Sequence, residues 1–202
     1  MALVKLTEYG YGQLELNLVA FPRDGRVVAQ YKAGTTFTGA EGDEKYLENG
    51  MLLKVDGAKR CVDKADPTEY DIFALNYSTE HMYDERTYRL ADFRLNSTND
   101  FYPRLGYLAA GDKFTTNCVC VDPEKEGVTV EGASTQKETV EAAWKSIAQL
   151  FEAGTLIYGG ACANGYIQLS KTAPEYGPVL RVIQVYTMPD GQKAVKLEVL
   201  RG

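Results

Sequence analysis

His81 is the only histidine in 202 residues, so any Ser-His-Asp or Cys-His nucleophilic site has to use it. It stands in Ser78-Thr-Glu-His-Met-Tyr-Asp-Glu85, where a surface or hydrogen-bonded imidazole is the expected role. The thiols are the next candidates. Cys118 and Cys120 sit two apart on a predicted strand, which turns both to one face. That spacing is not the paired knuckle of common zinc sites, and Cys61 and Cys162 have no cysteine near them in sequence. Four buried thiols acting as small hydrophobes are expected, with no metal, cofactor or catalytic role.

Asp63, Asp66, Glu69 and Asp71 form an acidic stretch around Pro67, but their spacing departs from the twelve-residue calcium loop, so a solvated acidic loop is expected. Ser134-Thr-Gln-Lys137 opens a helix as the Ser-x-x-Lys of penicillin-recognising enzymes does, and Lys171-Thr-Ala173 loosely echoes their Lys-Thr-Gly. Their Ser-x-Asn element should fall between these two, yet Ser97-Thr-Asn99 precedes both. Gly34-Thr-Thr-Phe-Thr-Gly-Ala-Glu-Gly-Asp43 lacks the endings of phosphate and dinucleotide loops and reads as strand plus turn. No pair of carboxylates can be chosen for acid–base work, because the separation that matters is spatial.

The elements that must position these residues are mostly strands. Leu14, Leu16 and Leu18 alternate with Glu15 and Asn17, and Asp24-Gly25 turns the chain into a strand over Val27–Tyr31. Asp56-Gly57 between Met51–Val55 and Ala58–Val62 predicts a two-residue hairpin in which both central residues take positive φ. Ile72–Tyr77 reads as a strand and 78–100 as a long connection with one helical turn. Phe101–Val121, launched from a turn at Gly111-Asp112, reads as the central strand of the chain. After it come a charged loop at Asp122–Gly127 and a short strand at Val128–Val130.

One helix is clear. Thr135 with Glu138 makes a capping box, Val140, Ala143, Trp144, Ile147, Leu150 and Phe151 share a face, and Gly154 supplies a left-handed stop. Trp144 is the expected core anchor. Strands follow at Leu156–Tyr158, Tyr166–Leu169, Val179–Thr187 and Lys193–Leu200, the last with Val195, Leu197 and Val199 facing inward. The fold class is mainly β, an antiparallel, hairpin-rich sandwich or barrel with one amphipathic helix, α+β in its C-terminal part. A composition break near 122–132 divides it into an arm (1–13), a β-rich domain (14–125) and an α+β subdomain (126–202), unless the C-terminal hairpin returns to the opening stretch and makes one continuous domain.

Hydrophobic residues make up 45% and charged residues 25%, which are globular proportions. The 28 acidic residues exceed the 22 basic ones, and the net charge of −6 argues against nucleic acid or an anionic membrane as partner. The opening Met1–Tyr9 lacks the apolar run of a signal peptide, so synthesis and folding in a cytoplasm are expected. Tyrosine occurs 14 times against 7 Phe and 1 Trp, a bias that fits partly wet interfaces as well as strand positions.

Glu48-Asn-Gly-Met-Leu-Leu53, Ala74-Leu-Asn-Tyr-Ser78, Tyr102-Pro-Arg104 and Leu108-Ala-Ala-Gly-Asp-Lys-Phe-Thr-Thr-Asn117 together resemble the capsid decoration or cement proteins of tailed bacteriophage heads. The likeness covers residues 34–121. It implies a non-enzymatic virion structural protein, made in the host cytoplasm and bound to the capsid surface, whose partners are the major capsid protein and copies of itself. The residues expected to touch a partner are Tyr9, Tyr11, Tyr102 and Arg104. Two other classes stand beside it: a tail or fibre module that binds surface carbohydrate through tyrosines, and a small hydrolase built from Asp63–Asp71 and His81.

Overall fold

The computed structural model describes residues 3–6, 12–37, 47–78, 102–130, 133, 135–188 and 191–202. Tyr9, Tyr11, His81, Ser134 and nearly all of the 78–100 connection lie outside the described residues. In chain order the strands are β1 (Val4–Lys5), β2 (Leu14–Leu18), β3 (Val27–Val28), β4 (Lys32–Ala33), β5 (Leu52–Asp56), β6 (Cys61–Asp63), β7 (Phe73–Asn76), β8 (Leu105–Gly106), β9 (Lys113–Thr116), β10 (Val119–Val121), β11 (Tyr158–Gly160), β12 (Ile167–Ser170), β13 (Val179–Thr187) and β14 (Lys193–Arg201). The helices are α1 (Pro123–Glu126) and α2 (Gln136–Glu152), with a 3-10 turn at Thr35–Phe37. Neither helix is long and apolar enough to cross a membrane.

The strands form an eight-stranded sheet in the order β1-β10-β12-β11-β13-β14-β9-β2 and a six-stranded sheet in the order β3-β8-β7-β5-β6-β4. Pairing is antiparallel except for β10 with β12 and β4 with β6. The mainly β expectation therefore holds. Strands from both sides of the composition break share one sheet, because β14 pairs with both β13 and β9.

The order of strands shows how the larger sheet is shaped. β9 and β10 stand seventh and second in it, yet only Asn117 and Cys118 separate them in the chain. Five spacings of about 4.8 Å would put them about 24 Å apart in a flat sheet. Three Cα steps reach about 11 Å at most. The sheet must curl until 113–121 closes a barrel through β12, β11, β13 and β14. The smaller sheet obeys the same constraint: β3 and β4 are its outermost strands, but only residues 29–31 lie between them. Both sheets are therefore strongly curled, as the connections require.

The long strand expected over 101–121 is thus three strands, β8, β9 and β10, with a corner between the last two. At that corner Val119 N–H donates to Asn117 C=O at 2.7 Å, a three-residue turn that breaks the ladder. Side chains replace the lost pairing. Asn117 Oδ1 accepts from Gln13 N–H at 2.6 Å, its Nδ2 donates to Gln192 Oε1 at 2.6 Å, and Thr116 Oγ1 accepts from Cys118 N–H at 3.0 Å. Gly50 packs against this corner at φ +87°, where a Cβ would overlap Thr116 Oγ1. Only glycine fits there.

β5 and β7 of the smaller sheet and β10 of the larger each send side chains into two apolar cores. Leu52, Phe73, Leu75, Val119 and Val121 face the core under α2, with Phe114, Ile147, Leu180 and Leu197. Leu53, Ala74, Cys118 and Cys120 face the other, with Phe37, Met51, Val62 and Tyr166. Period-two alternation places successive side chains in different cores, so all of β7 is buried.

Several local expectations are corrected. The β5–β6 turn is longer than two residues: Asp56 Oδ1 accepts from Ala58 N–H at 3.0 Å and Lys59 N–H at 2.9 Å, and the positive φ falls on Arg60, at 52°. The aspartate's side-chain turn displaced the Asp-Gly hairpin. The charged loop at 122–127 contains α1, capped by Asp122, begun by Pro123 and stopped by left-handed Gly127. Val128–Val130 is not a strand, since Val128 N–H bonds Pro123 C=O within the helix stop. Of the strand expected over Val27–Tyr31 only Val27–Val28 is strand, and β4 starts beyond it at Lys32. The helix α2 has the expected capping box and a buried face of Val140, Ala143 and Ile147. Trp144, however, lies at the core margin, its ring covered by the Lys193 ammonium 4.8 Å from the centroid.

Candidate functional site

The acidic stretch between β6 and β7 is spread out and engaged. Asp63 Oδ1 accepts from Thr36 N–H at 3.0 Å and Thr36 Oγ1 at 2.7 Å, which pins the 3-10 turn. Asp66 Oδ1 accepts from Ala163 N–H at 3.0 Å. Asp71 closes a turn with Thr68 and pairs with Lys54 at 2.6 Å, and that ammonium is the main cause holding its carboxyl below the usual carboxylate range. These carboxylates staple separate loops. Among the described residues, no three His, Cys, Asp or Glu side chains converge as a metal site.

The thiols are arranged differently from their spacing in sequence. Cys118 and Cys120 share a buried face of the strand, as expected, but Cys162 comes from the β11–β12 turn to meet Cys120. The two thiols are hydrogen-bonded to each other, and this bond holds Cys162 below and Cys120 above the ordinary thiol range. Asn164 serves both: its Oδ1 accepts from the Cys162 thiol at 3.1 Å, and its Nδ2 donates to Cys120 Sγ at 3.6 Å. Asn164 Oδ1 also accepts from Tyr166 N–H at 2.9 Å, which fixes the amide's orientation. Burial, with Asp63 beside it, pushes Cys61 up to about 11.

Three of the four sequence stretches that carry the family resemblance are joined by hydrogen bonds. Asn76 Nδ2 donates to Glu48 C=O at 2.8 Å, Ser78 Oγ donates to Asn76 Oδ1 at 2.7 Å, and Arg104 N–H donates to Ser78 Oγ at 2.8 Å. The network fixes the types of Asn76 and Ser78, whose side chains make these bonds, whereas Glu48 and Arg104 join through their backbone. The side chains of Tyr102 and Arg104 point outward on either side of buried Pro103. Tyr102 is 43% exposed, and the Lys32 ammonium lies 5.5 Å from its ring centroid.

A concavity lies elsewhere, a cleft of about 510 Å³ between the 69–73 loop, the 175–178 loop and the end of β14. Tyr107 and Phe73 lie at its base; Glu69, Glu175 and Tyr176 line its sides. Both walls are held by polar bonds. The Thr68–Asp71 turn and Lys54 fix one wall, and Arg201 fixes the other by donating to Glu175 C=O at 2.8 Å and Gly177 C=O at 3.0 Å. Large side chains stand out around it: Tyr70 is 87% exposed, Ile72 60% and Tyr176 39%. A concave, preformed surface with tyrosines at its rim is suited to binding, since little side-chain freedom is left to lose at its walls.

Neither Tyr102 nor Arg104 lines this cleft. The sequence did carry a signal for it: Pro67-Thr-Glu-Tyr70 and Pro174-Glu-Tyr176 each present a Glu-Tyr pair after a proline, and the fold sets these two loops against one cleft. No protein-family model, curated protein or solved structure matches the chain.

Proposed function

We propose that this chain is a non-enzymatic structural protein of a tailed-phage virion that binds the capsid surface and reinforces the head. Its partners are the major capsid protein and further copies of itself. The observation that carries the reading is the fixed cleft lined by exposed Ile72 and Tyr176, with Tyr70 standing out to solvent in the same 69–73 loop. The internal engagement of the thiols and acidic-loop carboxylates supports it, as does the sequence resemblance. Tyrosine at the centre of a contact supplies much of the binding free energy, so replacing Tyr70 and Tyr176 together by alanine should weaken binding at least about tenfold. The test is co-sedimentation with assembled capsids that lack the protein. Wild-type chain is expected to pellet with them and the double variant to stay in the supernatant; failure of the wild type to bind removes the proposal.

A second reading is carbohydrate recognition in a tail or fibre. It is favoured by Tyr107 and Tyr176 lining the same cleft as Glu69 and Glu175, a mixture of apolar ring faces and acceptors. Glycan-array binding without capsid affinity would select it.

A further inference from the structure

The Cys120–Cys162 pair has features that a packing role does not require. Two buried thiols from separate elements are gathered on one amide: Asn164 Oδ1 accepts from the Cys162 thiol at 3.1 Å and its Nδ2 donates to Cys120 Sγ at 3.6 Å. Cys120 lies within β10, where backbone pairing to β1 and β12 holds it. Cys162 lies in the turn before β12, closed by Gly165 N–H donating to Cys162 C=O at 2.9 Å. It is 3% exposed and precedes exposed Ala163, whereas Cys120 is fully buried.

We propose that Cys120 and Cys162 form a dithiol site that closes to an intramolecular disulfide by exchange with a small disulfide such as glutathione disulfide. The order of events follows from position. Cys162, in the turn, loses its proton to water and its thiolate attacks one sulfur of glutathione disulfide. The oxidant's S–S bond breaks, and one glutathione leaves as thiolate and is protonated by solvent. Cys120 then loses its proton, and its thiolate attacks Cys162 Sγ. The Cys120–Cys162 bond forms as the mixed disulfide breaks and the second glutathione leaves. Two protein thiols are oxidised while one glutathione disulfide is reduced to two thiols. The Cys120 hydrogen bond, which favours the Cys162 thiolate, makes Cys162 the first nucleophile. Asn164 keeps the second thiol beside the first. Cys61 stays out, its thiol donating to Asp63 Oδ2 at 3.5 Å within β6. The bond ties β10 to the β11–β12 turn and encloses the segment that carries α2.

The test is incubation of the folded chain with glutathione disulfide at about pH 8, where thiol exchange is fast, followed by acid quench, denaturation, alkylation and intact mass. Two of the four thiols should be lost, with a mass decrease of about 2 Da for one closed disulfide. Peptide mapping should show Cys120 joined to Cys162, and dithiothreitol should restore all four thiols. Cys120→Ser should stop at glutathione bound to Cys162, while Cys61→Ser should close the bond as the wild type does. Retention of all four thiols in the folded wild type overturns the proposal. So does a bond involving Cys61 or Cys118, or closure in Cys120→Ser at the wild-type rate.

Discussion

The two cores differ in chemistry as well as in size. The core under α2 is built from Phe, Leu, Ile, Val and Ala alone. The core inside the smaller barrel adds Cys118, Cys120, Cys162, Met51 and Tyr166, and Asn164 reaches its edge. A hydrocarbon core asks only for volume and tight packing. A core with sulfur also holds atoms that donate, accept and exchange, so its side chains are constrained by partners as well as by space. β5, β7 and β10, drawn from the two sheets, each feed both cores, and alternation along them decides which chemistry each residue meets.

The largest expected effect separates the cores directly. Phe114 is fully buried in the hydrocarbon core, so Phe114→Ala leaves a cavity and should cost about 3–5 kcal/mol. Cys118 is also fully buried, yet Cys118→Ala removes only one sulfur and should cost about 1 kcal/mol. Urea unfolding of both variants measures the two losses. Equal losses would break the comparison, since sulfur would then matter as a filler of space no less than an aromatic ring does.

A smaller effect tests whether the helix belongs to the hydrocarbon core alone. Thr135 Oγ1 accepts from Glu138 N–H at 3.2 Å, and Glu138 Oε2 accepts from Thr135 N–H at 3.1 Å. Thr135→Ala removes one of these and should lower stability by about 1 kcal/mol. Thiol alkylation rates under native conditions should stay at the wild-type values. A rise at Cys162 would mean that α2 also supports the sulfur-bearing core.

What the sequence made legible follows the same division. Alternation at Leu14–Leu18 and over Lys193–Arg201, and the capping box at Thr135, mark elements whose signal lies within a few residues. α1 carried an equally local signal in Asp122-Pro123 and Gly127, hidden by the charge of the residues between. Closure of the two barrels was not legible, because it depends on which strands pair across long stretches of chain, and no local pattern encodes that. The meeting of Cys120 with Cys162 and the cleft between two Glu-Tyr loops are consequences of the same closure. The turn at Asp56 was misread because an aspartate side chain can cap the chain in more than one way, and the choice rests with neighbouring strand register.

The smallest effect concerns the outer face of the strand whose inner face enters the hydrocarbon core. Register sets Glu198 of β14 between Arg181 of β13 and Lys113 of β9. Arg181, with Lys113 at 3.3 Å on the other side, holds the Glu198 carboxyl below the usual glutamate range. A folded-state value below the unfolded one means that the stabilisation is present above the ordinary glutamate pKa, about 4.3, and disappears as pH falls through the lower folded value. Wild type should therefore exceed Glu198→Gln in thermal midpoint at neutral pH, and the gap should close on titration toward about pH 3. Because all three side chains reach solvent, salt should shrink the gap at neutral pH as well. A gap that persists unchanged at low pH would assign the residue's effect to packing along β14, and would place the outer face of this sheet under the same rule of volume as its inner one.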